Sequence, residues 1–233
     1  MSGILYGVGL GPGDPDLITV KSSRLISQAR VIAYPSLAGG ESFARSIAAD
    51  LISPDAEEIV MDVPMTVERA PAQAAYDIGA KNIAAVLDRG EDVVCLCEGD
   101  PFFYGSFMYL YARLVADYQV EVVPGVTSIT TCAARAGMPL AARNERLTVL
   151  PGPLPAEELR ARIEGAESVA IMKVGRHLSK IRAVIADLGL TDKAAYIERA
   201  SLPDELVCPL AQAPETAPYF SMIILTKGAD PWL

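Results

Sequence analysis

The stretch CEGDPFFYG (Cys97–Gly105) stands between an apolar run, EDVVCL, and a segment with helical spacing, SFMYLYARLV. An ordinary strand-to-helix turn needs a glycine or an aspartate, whereas this one combines acids, glycines, a proline and three aromatic residues. The apolar run predicts a buried strand, and 106–115 predicts a helix. Open α/β sheets bind ligands at the carboxyl ends of their strands. The sequence therefore predicts a ligand site in this loop.

Strand-like runs alternate with helical segments on both sides of this stretch. The first strand is expected at 4–9, and a second series of elements begins at VEVVPG (Val120–Gly125). Alternation of this kind implies crossover connections and a largely parallel sheet. We expect an α/β protein with two α/β domains, residues 1–119 and 120–233, and with a cleft between them.

Several residues mark where helices begin or end. Thr19 is a candidate N-cap for a helix at about 19–29. Gly90 closes an alanine-rich helix, as glycine commonly does. Pro155 begins a further helix with Glu157 and Glu158 in its first turn, where proline and acidic side chains are favourable.

The composition is that of a folded globular chain with an acidic surface. Of 233 residues, 51% are hydrophobic and 21% charged, and the net charge is −9. Such a surface repels nucleic acid and anionic membrane. The N-terminal stretch lacks the pattern of a signal peptide, and no apolar run is long enough to cross a bilayer. We therefore expect a cytoplasmic location, with neither nucleic acid nor membrane as a partner.

The cysteines and the single histidine argue against metal chemistry. There are four cysteines and one histidine, His177. Cys95 and Cys97 alternate along one strand, so they share a face and are poorly placed to pair with each other. No zinc-ligand spacing is present. We expect buried thiols and no metal site.

The first loop, GVGLGPGDPD (Gly7–Asp16), follows the first strand, where dinucleotide folds hold phosphate. The G-x-G-x-x-G spacing fails, because Pro12 or Asp14 stands where the last glycine belongs. Prolines remove backbone donors and aspartates repel phosphate. The loop is better suited to presenting carbonyl groups and a carboxylate; the alternative is a plain rigid turn.

Two further strand ends carry polar residues. In PGVTS, Thr127 and Ser128 either cap the following helix or donate to a ligand. In IMKVGRH, Lys173 ends an apolar run, where a purely structural role would require burying an ammonium group. Arg176 follows it, and Arg143 in AARNERL is a further candidate cation. In the loop CEGDPFFYG, Asp100 is either a helix cap or a ligand for hydroxyl groups. The aromatic residues of that loop either pack in the core or line the site.

Taken together, three motifs resemble those of the tetrapyrrole methylases, the class III S-adenosylmethionine-dependent methyltransferases. They are Val8-Gly-x-Gly-Pro-Gly-Asp-Pro15, Gly99-Asp-Pro-x-x-Tyr-Gly105 and Pro124-Gly-Val-Thr-Ser128. The resemblance continues through YIERAS and YFSMIIL, and within the family it favours members of cobalamin (vitamin B12) biosynthesis. It implies a two-domain fold, a homodimer, and transfer of a methyl group from S-adenosylmethionine to a meso carbon of a tetrapyrrole.

The resemblance also implies which residues contact the cofactor. At the strand ending IMKV it leaves Met172 and Lys173 open and favours Lys173, and on the last strand it leaves Ser221 and Met222 open. The implied cofactor residues are Pro12, Glu98, Gly99, Asp100, Phe103, Thr127, Ser128, Met172, Lys173, Ala200, Ser221 and Met222.

Methyl transfer is an in-line displacement that needs alignment and one base for proton loss. The candidate base is Asp14, Asp100 or Tyr104. An acidic tetrapyrrole requires local cations, for which Lys173, Arg176 and Arg143 are candidates. Substrate contacts are expected from Asp14, Tyr104 and these cations, and catalysis from Asp14, Asp100, Tyr104 and Lys173. The alternatives are another methylase of this fold and a non-catalytic metabolite-binding module.

Overall fold

A computed structural model describes residues 2–37, 40–64 and 68–228. The chain divides into two compact units, Met1–Thr127 and Ser128–Leu233. The first contains strands β1 (Ile4–Gly9), β2 (Val31–Ser36), β3 (Glu57–Asp62), β4 (Val93–Cys97) and β5 (Gln119–Val123), and helices α1 (Val20–Gln28), α2 (Phe43–Ile47), α3 (Arg69–Asp88) and α4 (Phe107–Leu114). The second contains strands β6 (Leu147–Pro151), β7 (Ser168–Met172), β8 (Ala194–Glu198), β9 (Leu206–Pro209) and β10 (Ser221–Thr226), and helices α5 (Ser128–Ala136), α6 (Ala156–Glu164) and α7 (Leu178–Asp187).

The first unit is built on a parallel sheet with the strand order β3-β2-β4-β1-β5. Residues of α1 and α2 pack on one face, and residues of α3 and α4 pack on the other. The chain leaves β1 and β4 toward opposite faces, and a sheet opens a crevice at such a point. The carboxyl ends of β4, β1 and β5 therefore meet at one edge.

The position of β5 corrects the expected division of the chain. We expected the second domain to begin at 120, whereas β5 pairs in parallel with β1, with Val122 opposite Gly7. The division therefore lies after Thr127. A strand that opens the second half of the sequence thus completes the first sheet.

The second unit is built on a mixed sheet with the order β6-β7-β10-β8-β9. Strands β6 and β7 are parallel, and β10 is antiparallel to both of its neighbours. The expectation of largely parallel strands is therefore wrong for this sheet, because β10 inserts between β7 and β8. Helices α6 and α7 pack on one face and α5 on the other.

Local sequence signals set several element limits as expected. The Thr19 hydroxyl accepts a hydrogen bond from the Ser22 N–H at 3.2 Å and caps α1. Gly90 follows the end of α3 with φ 79°, and Pro155 precedes α6. All four cysteines are free, and burial raises the pKa of the Cys132 thiol to about 12.

Candidate functional site

Three loops meet backbone to backbone at the edge formed by β4, β1 and β5. The Gly11 N–H donates to the Gly99 carbonyl at 3.2 Å, and the Gly99 N–H donates to the Gly11 carbonyl at 2.8 Å. A Cβ added to Gly9 would lie 2.5 Å from the Gly125 nitrogen, and one added to Gly125 would lie 2.0 Å from the Gly99 carbonyl oxygen. A side chain at either position would separate the loops.

The Asp100 carboxylate holds two of these loops together. One oxygen accepts from the backbone N–H groups of Phe102 at 2.9 Å and Phe103 at 3.0 Å. The other accepts from the Gly125 N–H at 3.0 Å. A carboxylate has about four acceptor positions, so three backbone donors occupy most of them. Asp100 therefore acts within the site as a tie between the loops after β4 and β5.

Gly99 leaves room for a ligand over its backbone. Its φ is +62°, in the left-handed region, and nothing lies within 4 Å of the position that a Cβ would take. A side chain there would occupy this space. The neighbouring loop holds Pro12, which is half-buried, and Asp14, whose carboxylate accepts from the Asp16 N–H at 2.9 Å and begins a short 3-10 turn. The backbone of Gly99 is thus open on the side where other residues carry a Cβ.

The aromatic residues of this loop lie at the surface. Phe102, Phe103 and Tyr104 are 46%, 36% and 44% exposed, so core packing does not account for them. Phe102 packs edge-on against Tyr111 with centroids 5.0 Å apart, and Phe103 packs similarly against Tyr104 at 5.2 Å. Tyr104 has φ 55°, which side-chain-bearing residues rarely adopt.

Glu98 is a carboxyl group in a crowded setting. Its side chain is exposed to solvent, yet desolvation by the surrounding protein raises the pKa of this carboxyl group. The residue as a whole is exposed, so the direction of the pKa shift follows from the protein atoms around the carboxyl group alone. A carboxyl group of this kind ionises less readily than a free one.

In the second unit, three of the implied cofactor residues share one face of the sheet. Met172, Ala200 and Met222 belong to the apolar cluster that contains Ile129 and Cys132 of α5. Met222 pairs directly with Met172 across β10 and β7. Met222 is buried and Met172 is half-buried on this face, against which α5 packs.

Ser221 belongs to the opposite face and has structural partners. Alternation along β10 places it on the side of Ile223. Its hydroxyl donates to the Pro218 carbonyl at 2.7 Å and accepts from the Gly175 N–H at 3.3 Å. Of the remaining implied contacts, Ser128 is the first residue of α5 and Thr127 directly precedes it, both half-buried.

Lys173 differs from the expectation based on its sequence position. The residue follows β7 and its side chain is exposed, so the argument from a buried ammonium group is wrong. Its φ is 56°, and its carbonyl oxygen would lie 2.7 Å from a Cβ at Gly152. The backbone here turns sharply and sends the side chain into solvent.

The other two candidate cations are also exposed. Arg176 lies in a short 3-10 turn, Gly175–His177, and its charge adds to desolvation and to the charge of Lys180 in lowering the pKa of His177. Arg143 has φ 47° and lines a recess of about 320 Å³ together with Ala142, Asn144, Glu145 and Glu167. The two glutamates make that recess poorly suited to an anion.

A buried polar group at the end of β8 was not predicted from the sequence. Glu198 is 5% exposed and accepts from the hydroxyl of Tyr196, itself fully buried, at 2.5 Å. Desolvation, followed by this hydrogen bond, raises the pKa of Tyr196, so the hydroxyl stays a donor. Only the placement of a glutamate inside an apolar strand pattern, YIE, could have hinted at it.

Among residues 2–37, 40–64 and 68–228, no three or more His, Cys, Asp or Glu side chains form a group that could hold a metal ion. Within the same ranges, no helix has the length and apolar character needed to cross a membrane.

Comparison with known proteins identifies relatives along the whole chain. The family model described as Tetrapyrrole (Corrin/Porphyrin) Methylases matches residues 4–214. A precorrin-2 C(20)-methyltransferase from Sinorhizobium sp. is 41% identical, with 99% of each chain covered. A cobalt-precorrin-2 C(20)-methyltransferase from Salmonella typhimurium is 32% identical, covering 97% of this chain and 98% of that protein.

A solved structure has the same architecture. The uroporphyrin-III C-methyltransferase from Thermus thermophilus, complexed with S-adenosylhomocysteine, superposes with a TM-score of 0.68 at 25% identity. The match covers 95% of this chain and 97% of that one. The two-sheet α/β fold expected from the sequence is therefore confirmed.

Proposed function

Because the chain belongs to the tetrapyrrole (corrin/porphyrin) methylases, we propose that it transfers a methyl group from S-adenosylmethionine to C20 of precorrin-2, giving precorrin-3A in cobalamin biosynthesis. The observation that carries this proposal is the 41% sequence identity, over 99% of both chains, to a relative named for that reaction. Several enzymes of this fold share the three loop motifs, so the motifs alone support only the class of reaction. The substrate assignment rests on similarity along the whole chain.

The residues at the strand ends suit an adenosyl group. The open space over Gly99 allows a flat ring to approach the backbone. In the second unit, the apolar candidates are Met172 and Ala200, which are half-buried, and Met222, which is buried beside Met172. In the first unit, the candidates are Pro12, in the loop after β1, and Glu98, Gly99 and Phe103, in the loop that Asp100 fixes.

When bound, S-adenosylmethionine supplies an electrophilic methyl group on a sulfonium centre. The protein aligns C20 with that methyl group and accepts the proton that C20 loses when the new carbon–carbon bond has formed. Asp100 is poorly placed to act as this base, since three backbone donors already hold its carboxylate. The Asp14 carboxylate caps a turn, which leaves Tyr104 as the candidate whose side chain is exposed.

The acidic substrate requires positive charge near the site. We assign this role to Lys173 and Arg176, which are exposed near the end of β7. Arg143 is the weaker candidate, because Glu145 and Glu167 line the same recess. Lys173→Met tests the assignment, because removal of a substrate contact should raise KM or lower kcat by about tenfold or more while S-adenosylhomocysteine affinity remains. Normal turnover by this variant would remove Lys173 from the substrate site.

The metal-free substrate of the aerobic route is the first candidate, and a cobalt-bound substrate is the second. The relative named for precorrin-2 is more similar than the one named for cobalt-precorrin-2. Incubation with precorrin-2 and labelled S-adenosylmethionine, with and without cobalt, followed by mass analysis, distinguishes them. Methylation only with cobalt would reverse the assignment, and methylation of uroporphyrinogen would identify a different methylase.

Binding of S-adenosylmethionine without transfer to any tetrapyrrole would favour a non-catalytic module instead. We further propose a homodimer in the cytoplasm, an assembly and location that the family resemblance and the composition suggest. Light scattering at micromolar protein concentration should give twice the chain mass of 24.8 kDa. A mass equal to one chain would contradict the dimer.

A further inference from the structure

The end of β8 holds an ionisable group inside the protein. Glu198 is 5% exposed, and its two carboxylate oxygens have different partners. The Tyr196 hydroxyl donates to Oε1 at 2.5 Å, and Nη2 of Arg199 lies 3.2 Å from Oε2. A buried carboxylate is unfavourable unless it is paired, and here both oxygens are paired.

The three residues after Glu198 form a strained turn. Arg199 has φ 45° and Ser201 has φ 70°, so both lie in the left-handed region and flank Ala200. Such a conformation is unfavourable for a residue with a Cβ, because the Cβ approaches the following carbonyl oxygen. Surrounding interactions must therefore hold the turn.

Those interactions converge on Arg199 and Ser201. The Arg199 N–H donates to the Phe220 carbonyl at 2.8 Å, and its Nε lies 2.7 Å from Oδ2 of Asp204. The Ser201 N–H donates to Oε2 of Glu205 at 2.6 Å. Glu198 thus holds the Arg199 guanidinium from inside the protein while Asp204 holds it from outside.

We propose that Glu198 is a positioning residue for the cofactor site: through Arg199 it fixes the turn Arg199–Ser201, so that Ala200 is held on the apolar face shared with Met172 and Met222. The inference rests on the proposed function, because Ala200 is a cofactor neighbour only if S-adenosylmethionine binds there.

A purely structural role explains only one half of the arrangement. Glu198 accepts from the buried Tyr196 hydroxyl, which would otherwise lack this acceptor. An uncharged acceptor at 198 would satisfy that hydroxyl equally well. It would not pair with the charge of the Arg199 guanidinium, whose Nη2 lies 3.2 Å from Oε2 at the start of the left-handed turn.

The test compares Glu198→Gln with a matched control. Glutamine can still accept from Tyr196 but carries no charge for Arg199. Glu215→Gln removes an exposed acid of the same unit and serves as the control. Calorimetry with S-adenosylhomocysteine, well below the melting temperature, should show an affinity loss of about tenfold or more for Glu198→Gln and no change for Glu215→Gln. A loss below about twofold in folded Glu198→Gln protein would overturn the proposal.

A second variant covers the case in which Glu198→Gln does not fold. Arg199 is 32% exposed, so Arg199→Gln should fold, and it should lower S-adenosylhomocysteine affinity to a similar extent. Unchanged affinity in Arg199→Gln would equally overturn the proposal.

Hydrogen exchange separates this inference from the proposed function. Without ligand, the Ser201 and Leu202 amides should exchange faster in folded Glu198→Gln or Arg199→Gln protein than in wild type. Unchanged exchange would overturn the positioning role. Failure of the wild-type protein to bind S-adenosylhomocysteine would instead refute the proposed cofactor, and the exchange result would still decide whether Glu198 holds the turn.

Discussion

Replacement of Asp100 should weaken the first unit as well as the cofactor site. The carboxylate accepts two local N–H bonds, from Phe102 and Phe103, and one bond from Gly125, which lies in another loop. Loss of a local cap of this kind lowers stability by about 0.5–2 kcal/mol. A hydrogen bond to a charged group contributes about 1.5–3 kcal/mol, less here because Asp100 is only half-buried.

We therefore expect Asp100→Ala to lower the free energy of unfolding by about 2–4 kcal/mol. Asp100→Asn should lose less, about 1–2 kcal/mol, because its carbonyl can still cap Phe102 and Phe103 while its amide nitrogen meets the Gly125 N–H. Urea denaturation measures both losses. Asp16→Asn, in the exposed part of the neighbouring loop, removes the same charge and should leave stability within about 0.5 kcal/mol of wild type.

Two further measurements separate the tie from a direct ligand contact. The Gly125 amide should exchange faster in both Asp100 variants before any ligand is added, and S-adenosylhomocysteine affinity should fall in both. If Asp100 only contacted the ribose, affinity would fall while stability and Gly125 exchange stayed at wild-type values. That combination would refute the reasoning.

Two further predictions concern carboxyl groups with shifted pKa values. Because desolvation raises the pKa of Glu98 in the folded state, its ionisation opposes folding. Glu98→Gln should therefore raise the melting temperature above that of wild type near pH 7. Near pH 3 the carboxyl group is protonated in both folded and unfolded chains, so the variant and wild type should melt at the same temperature. The same difference between variant and wild type at both pH values would contradict this. The second carboxyl group is that of Glu58. Arg45 donates to both of its oxygens and holds its pKa at about 2. The resulting stabilisation is complete above the pKa of the unfolded chain and disappears as the pH falls toward 2. Between pH 5 and pH 2 the free energy of unfolding of wild type should therefore fall by about 1–2 kcal/mol more than that of Glu58→Gln, after allowance for partial exposure. Parallel curves of this free energy against pH would show that the pair contributes nothing.

The positions of the loops after β1, β4 and β5 could be predicted because their signals are local. Glycines, prolines and acids directly after strands mark turns and ligand edges, and the loop after β4 was found on this basis. Strand β3 was missed because three of its six residues, Glu57, Glu58 and Asp62, are charged and only Ile59 and Met61 are buried. Strand β9 was missed because it is short and mostly exposed.

Features that depend on distant partners could not be read from the sequence. The pairing of β5 with β1 joins segments more than a hundred residues apart, as Leu5 opposite Val120 shows. The Asp100 carboxylate appeared available for a ribose because its Gly125 partner is brought near only by the fold. Glu198 was overlooked because glutamate is rarely buried, and no local pattern distinguishes a buried one.

Backbone strain within the described part of the chain collects at the candidate sites. The five residues other than glycine with positive φ are Tyr104, Arg143, Lys173, Arg199 and Ser201. The first three were chosen from the sequence as substrate candidates, and the other two flank Ala200. Conformations of this kind persist where surrounding structure enforces them, and they cluster at functional sites.

Lys173 allows a direct test of that strain. At an ordinary position glycine is less stable than alanine by about 0.5–1 kcal/mol. At φ 56° the order should reverse, because alanine keeps the strain that glycine relieves. We therefore expect Lys173→Gly to be more stable than Lys173→Ala by up to about 1 kcal/mol in urea denaturation, while both lose turnover. If glycine were instead the less stable of the two, the strain would not be stored at this residue, and its left-handed backbone would give no support to a role for Lys173 at the site.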